Sequence, residues 1–257
     1  MLDLAIETAY QAGKYLLLHL GKIHHLEYKK EQVTNLVTEF DKGAEEIIIK
    51  KIQKQFPSHD IMGEECGNSY HQNSDYCWII DPLDGTTNYA HGLPVFSVSI
   101  GLEYKGEIII GVIYNPSMDE MFYAEKGKGA FLNGRKIHIS STEKLISSLL
   151  VTGFPYNIKE NPGNVIEYFI NFLPQSRGVR RLGSAAIDLA YIAAGRFDGY
   201  WEVFLNPWDK AAGILLVQEA GGKVTDFLGN TATPYQQQTL ATNGIIHQQM
   251  LDVICSI

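Results

Sequence analysis

The sequence predicts a mixed α and β fold in two halves, an α+β half followed by an α/β half. Three observations lead there. Residues 96–134 carry short β-rich runs separated by Gly, Asn and Pro turn signals, the pattern of consecutive antiparallel hairpins. From Leu149 onward, apolar strand-like runs alternate with helical ones, as in a second α/β layer. The chain has 257 residues, 45% of them hydrophobic, which is enough for a large core. No flexible linker marks the boundary near residues 140–148, so the halves 1–145 and 146–257 are expected to form one compact unit.

The elements follow in order. Leu2, Ile6, Ala9, Leu16, Leu17 and Leu20 recur at helical spacing, and Gly21 suits the end of that helix. A short strand is expected at residues 26–29. The polar stretch after it lacks periodicity and reads as a loop, with residues 29–35 a mobile segment. Thr38 suits the cap of a helix that runs to Phe56 and stops at Pro57. Residues 60–64 and 78–80 read as strands. Residues 96–104, 107–114 and 120–124 read as antiparallel strands, with turns at Lys105-Gly106 and Asn115-Pro116. Gly127, Gly129, Asn133 and Gly134 punctuate a further hairpin. In the second half, strands are expected at 149–153, 200–204, 223–225 and 240–242. Helices are expected at 163–172, 185–194, 208–221 and the C-terminus.

Composition excludes several function classes. The net charge is -8, and the basic clusters are only Lys29-Lys30, Lys50-Lys51 and Arg180-Arg181, so general nucleic-acid binding is not expected. Cys66, Cys77 and Cys255 are odd in number and lack metal-type spacing, which suits reduced thiols in a cytoplasmic protein. No apolar run approaches the roughly 20 residues that span a bilayer, so no membrane partner is expected. The first ten residues carry acids where a signal peptide needs basic ones.

The chemistry concentrates in one stretch, WIIDPLDGTTNYAHG, from Trp78 to Gly92. Asp81 stands at the end of an apolar strand and Asp84 three residues on. Pro82 between them fixes its own φ, and Gly85 permits a tight turn. Thr86 and Thr87 suit a helix start, where backbone N–H groups are free. Two carboxylates therefore stand beside donors suited to a phosphate, a combination that needs cations between the charges. Asp-Pro and Asp-Gly pairs alone are common in surface turns. The full string DPLDGTTNYAHG is far more specific, and so is NPWDKAAGILLVQEAGG at Asn206 to Gly222.

Together these two stretches resemble the signatures of the inositol monophosphatase family, part of the lithium-sensitive, metal-dependent sugar phosphatases. The resemblance implies a layered α-β-α-β-α sandwich of the sugar phosphatase type. It implies two or three Mg²⁺ ions per site, with Mn²⁺ as a substitute, and a homodimer. Glu64, Asp81 and the Leu83 carbonyl would hold the first ion. Asp81, Asp84 and Asp209 would hold the second, and Glu64 a weaker third. The all-oxygen donor set suits Mg²⁺ or Mn²⁺ better than Zn²⁺. Thr86 with Glu64 would orient or deprotonate the attacking water, and Asp41 would hold Thr86. Gly85 and Thr86 N–H groups would hold phosphate oxygens. The alcohol would meet Asp84, Ser184, Ala185, Glu202 and Asp209. Lys30, or its neighbour Lys29, resembles a basic residue on a mobile loop near the metals. The implied reaction is hydrolysis of a small phosphate monoester, inositol 1-phosphate and related polyol monophosphates first, by metal-activated water. Fructose 1,6-bisphosphate, histidinol phosphate and 3′-phosphonucleotides remain alternatives. A regulatory binding protein of the transcription machinery is an alternative of another class. The D-x-x-D spacing argues against an aspartyl-phosphate enzyme, whose nucleophile opens a D-x-D pair. The chain departs from the family pattern at Lys210, where an apolar residue is expected more often, and at Cys66.

Overall fold

The structure is a computed structural model that describes residues 1–22, 26–28, 36–70 and 73–256. Helix α1 (Leu2–His19) is followed by strands β1 (Leu26–Tyr28) and β2 (Leu36–Thr38), which pair antiparallel. The 36–38 strand lies in a stretch read from sequence as loop; three residues are too few to show a period. Helix α2 (Glu39–Gln55) comes next. Then come β3 (Asp60–Gly63), β4 (Gly67–Tyr70), β5 (Tyr76–Asp84), the short α3 (Thr86–Ala90), β6 (Ser97–Tyr104), β7 (Glu107–Asn115), β8 (Glu120–Glu125), β9 (Gly129–Leu132) and β10 (Arg135–Lys136). The second half holds β11 (Leu149–Thr152), α4 (Val165–Phe172), β12 (Gly178–Arg180), α5 (Ala185–Ala193), β13 (Gly199–Val203), α6 (Pro207–Glu219), β14 (Lys223–Thr225), β15 (Gln238–Thr242) and α7 (His247–Ile254).

Two mixed sheets result. The first has eight strands in the order β10-β9-β8-β7-β6-β5-β3-β4, and the second has five in the order β12-β11-β13-β15-β14. Most neighbours in the first are antiparallel, as the hairpin signals predict, but β3 and β5 run parallel. The second sheet is parallel at β12-β11-β13 and antiparallel at β13-β15-β14.

Three cores fill the spaces between layers. Leu16 of α1 and Ile48 of α2 pack with Trp78, Ile100 and Val112 on one face of the large sheet. The other face meets α5 and α6 through Ile113 and Phe122 against Leu189, Ala212 and Leu216. These helices also carry the second sheet, through Val151, Tyr200 and Ala241. Its far face is covered by α4 and α7, with Phe172 and Met250 beside Trp201 and Leu240. The chain is thus layered α-β-α-β-α. The middle layer needs small residues to fit. A Cβ on Gly111 of β7 would lie 2.6 Å from the Ala212 carbonyl, so only glycine lets α6 sit this close. No helix of the described residues is long and apolar enough to cross a membrane.

Candidate active site

The parallel pairing of β3 with β5 sets Gly63 opposite Ile80. The next residues, Glu64 just past β3 and Asp81 within β5, therefore stand side by side. Strand β5 does not end at Asp81 as the sequence suggested. It continues to Asp84, with an irregularity between Asp81 and Asp84 around Pro82. Proline removes a ladder donor, so pairing breaks there and resumes at Asp84 opposite Ser97.

The loop is held by its own side chains. Asp81 Oδ1 accepts from Leu83 N–H at 2.9 Å. Gly85, with φ 95°, is the cap of α3, and a Cβ there would lie 2.9 Å from the Val95 carbonyl. Thr86 is not that cap. Its Oγ1 lies 3.1 Å from both Asp41 Oδ1 and the Leu83 carbonyl, and its single proton serves one of them at a time. Asp41 is 1% exposed on the inner face of α2.

The second half delivers its residues through helix starts. Ser184 caps α5, accepting from Ile187 N–H. The Ser184 hydroxyl also donates to Asp84 Oδ2 at 2.5 Å, and Ala186 N–H donates to the same oxygen at 2.8 Å. The Ala185 N–H adds to this hold, so Ala185 acts through its backbone. Asp209 belongs to a capping box at the start of α6, where its Oδ2 accepts from Asn206 N–H at 2.7 Å. Asp81 and Asp209 thus each have one oxygen pinned by a backbone N–H.

Electrostatics ties the acids together. Burial, then the charges of Glu64, Asp84 and Asp209, push the Asp81 carboxyl well above the usual range. Asp84 is pushed up to about 6 by burial, against the pull of Ser184 and Ala186. Asp209 is raised by burial, Glu64 and Asp84. Two like charges at about 4 Å repel by about 4 kcal/mol at an effective ε near 20, which is the scale of the effect if such acids converge. Among the described residues no three of these acids already stand in the geometry of a ready-made metal site. The donor set still fits Mg²⁺: hard oxygens, one each on Asp81, Asp84 and Asp209 held by hydrogen bonds, whose mutual repulsion a divalent cation would relieve.

Glu202 is 9% exposed and lies in β13, with its carboxyl pushed up to about 7, burial being the largest cause. The Arg181 side chain lies over Gly183, and its charge acts on Glu202 and Asp188. Arg180 turns back on its own strand and donates to the Val179 carbonyl. Lys30, Lys29 and the segment 29–35 lie outside the described residues. Lys210 is fully buried, and its ammonium donates to the Gln236 carbonyl. Burial pushes the Cys66 thiol up to about 12, which keeps it in the weakly nucleophilic protonated form.

Sequence reasoning missed several residues. Glu45 Oε1 accepts from the N–H groups of Glu65 and Cys66 at 3.0 and 3.2 Å, and so shapes the turn that carries Glu64. A signal existed: Asp41 and Glu45 are four apart on a helical face, between apolar Phe40, Ala44 and Ile48. Asn88 donates to the carbonyls of Val95 and Leu182, both at 2.8 Å, and joins the two halves beside the site. The Tyr156 ring is half exposed, but desolvation around its hydroxyl, then the charges of Glu64, Asp84, Asp209 and Asp81, raise the pKa of that hydroxyl. Nothing local in the sequence brings Tyr156 to those acids.

The sequence model of the inositol monophosphatase family matches residues 1–257. An inositol-1-monophosphatase of Mesorhizobium japonicum is 41% identical over 254 residues, 99% of this chain and 96% of its own. The Nus factor SuhB of Pseudomonas aeruginosa is 44% identical over 234 residues, 90% of this chain and 86% of its own. The solved inositol monophosphatase of Anabaena (Nostoc) shares the fold with a TM-score of 0.90 at 43% identity, covering 100% of this chain and 95% of that one.

Proposed function

The chain belongs to the inositol monophosphatase family and is a phosphatase, and from that premise we propose that it is a Mg²⁺-dependent enzyme of the cytoplasm that hydrolyses inositol 1-phosphate and related polyol monophosphates. The observation that carries this reading is the set Glu64, Asp81, Asp84 and Asp209, close enough for their charges to act on one another, with the charge of Glu202 acting on Asp209. Glu64, Asp81 and the Leu83 carbonyl would hold one ion. Asp81, Asp84 and Asp209 would hold the second, and Glu64 a weaker third; Mn²⁺ suits the same oxygens. When bound, the ions offset the carboxylate charge, attract the phosphate dianion and acidify water.

The chain's own groups do the rest. Thr86, ordered by Asp41, orients the attacking water, and Glu64 takes its proton. The N–H groups of Gly85 and Thr86 hold phosphate oxygens. Glu202 accepts from the hydroxyls of the alcohol, with Asp84, Ser184, Ala185 and Asp209 around it. A bisphosphate reading is favoured by Arg181, whose charge reaches Glu202 and could hold a second phosphate. A regulatory role on the transcription machinery is favoured by likeness to the protein named Nus factor SuhB. A homodimer is proposed with an apolar interface drawn from the second half.

Phosphate release from a panel of esters, with and without metal, tests these readings together. Release should cease after EDTA treatment and return with Mg²⁺ or Mn²⁺. Asp84→Asn should lower kcat by roughly a hundredfold or more, since metal polarisation is worth several kcal/mol. Undiminished release after EDTA would sink the metal assignment. A preference for fructose 1,6-bisphosphate over inositol 1-phosphate would favour the Arg181 reading. Folded, metal-supplied protein that turns over no ester in the panel would favour the regulatory one.

A further inference from the structure

Glu202 does not hold its place by itself. Strands β11 and β13 run parallel with Thr152 opposite Trp201, so the next residues, Gly153 and Glu202, are neighbours across the sheet. The Glu202 carboxyl folds directly over Gly153. A Cβ on Gly153 would lie 2.2 Å from Oε1 and 2.3 Å from Oε2, so only a glycine leaves this space. From its own strand, Tyr200 points to the same face as Glu202, and its hydroxyl donates to Oε2 at 2.8 Å. Tyr200 is fully buried, and its ring packs in the core between the sheets, so this donor cannot swing away. The Thr152 hydroxyl donates to the Trp201 carbonyl at 2.6 Å and ties the two strands together at this point.

We propose that Gly153 and Tyr200 form a slot that fixes the Glu202 carboxylate, and that this slot sets the selectivity of the enzyme for phosphate esters of polyols. The inference rests on the reading that Glu202 receives the hydroxyls of the alcohol. Gly153 and Tyr200 are positioning residues: neither touches substrate, and both act through Glu202. A carboxylate accepts from two hydroxyls on one ring only if its plane is set in advance, because each free torsion would otherwise be lost on binding. Gly153 fixes where the carboxyl lies, and Tyr200 fixes its rotation through one lone pair of Oε2, leaving the other acceptor sites of the carboxylate for substrate.

The test compares inositol 1-phosphate with p-nitrophenyl phosphate, which has no alcohol hydroxyls for Glu202 to hold. Tyr200→Phe removes one oxygen and keeps the ring. It should raise KM for inositol 1-phosphate by roughly tenfold, the usual worth of a hydrogen bond to a charged group. Its kcat on that ester, and both constants on p-nitrophenyl phosphate, should stay within about twofold. Gly153→Ala should act in the same direction and more strongly. Tyr200→Phe alone suffices if Gly153→Ala does not fold. The double variant Tyr200→Phe with Glu202→Gln should be no worse than Glu202→Gln, since Tyr200 acts only through that carboxyl. Equal losses on both esters in Tyr200→Phe, or an unchanged KM for inositol 1-phosphate while Glu202→Gln raises it, would overturn the slot and leave the reading of Glu202 standing. An unchanged KM in Glu202→Gln would overturn that reading, and the slot with it.

Discussion

His247 lies between two threonines, 3.0 Å from Thr225 Oγ1 through Nε2 and 2.9 Å from Thr242 Oγ1 through Nδ1. It is 2% exposed, and burial, with the charge of Lys223 added, lowers its pKa from 6.5 to about 4. A depressed pKa means that the unfolded chain takes up the proton first as pH falls. The neutral ring therefore contributes stability that is complete above pH 6.5 and is lost progressively down to about pH 4, at most about 3 kcal/mol. Thermal melts of wild type and His247→Gln across pH 4 to 7.5 should converge as pH falls, the variant lacking this component. Parallel curves would mean that His247 is not held neutral. Lys210 shows the same physics in a base: burial pulls its ammonium down to about 8, while Asp209 and Glu202 hold it up. Its place in a position expected to be apolar is explained by the Gln236 carbonyl and Thr239 hydroxyl at the end of its stem.

Helix α5 serves the site through its first turn. Ser184 is at once the cap of the helix and a donor to Asp84, so one hydroxyl couples helix stability to the orientation of a proposed metal ligand. Ser184→Ala should cost about 1 kcal/mol as a lost cap, or roughly 2–4 °C in Tm for a chain of this size. It should also raise the Mg²⁺ concentration for half-maximal activity by about tenfold, the usual effect of removing a group that orients a ligand. A Tm loss with unchanged Mg²⁺ dependence would confine Ser184 to capping. Helix α6 carries Asp209 in the same way, and its depth is set by packing against Gly111.

The whole molecule leaves an apolar stripe at its α4 edge. Ile166 and Ile170 of α4 and Leu173 just after it recur at helical spacing and are 40%, 56% and 45% exposed. A surface of this kind is what an isologous contact would cover, and it lies in the second half, where the proposed homodimer places its interface. Light scattering at micromolar concentration should give twice the chain mass, and Ile170→Asp should shift it toward the monomer. A wild-type mass of 28.7 kDa would reject the dimer. The same large scale shows how the two halves meet at the candidate site. Asn88 reaches the Leu182 carbonyl, and Ser97 Oγ lies 3.5 Å from Ser184 Oγ, so the sheet of one half and the helix start of the other meet at the carboxylates.

Short-range chemistry could be read directly from the chain. The turn at Pro82, the pair Asp81 and Asp84, the capping position of Asp209 and most strand and helix spans depend on a few covalent bonds and a local period. The hairpins from β6 to β9 were legible for the same reason, since each turn lies next to the strands it joins. Strand β4 was not, although it pairs with its chain neighbour β3, because Gly67, Asn68 and Ser69 carry no strand pattern, and the passage of β5 through Asp81 was not, because it depends on pairing with β6 beyond the motif. Glu64 could be named from the family resemblance, but its place beside Asp81 follows from the parallel register of β3 and β5. Glu45 under the turn of Glu64, Tyr156 among the acids, and Gly153 with Tyr200 around Glu202 have no local pattern that reveals their partners. Tertiary structure alone decided these, because a contact across a sheet is set by register, and register is fixed by the burial of whole strands rather than by any single residue.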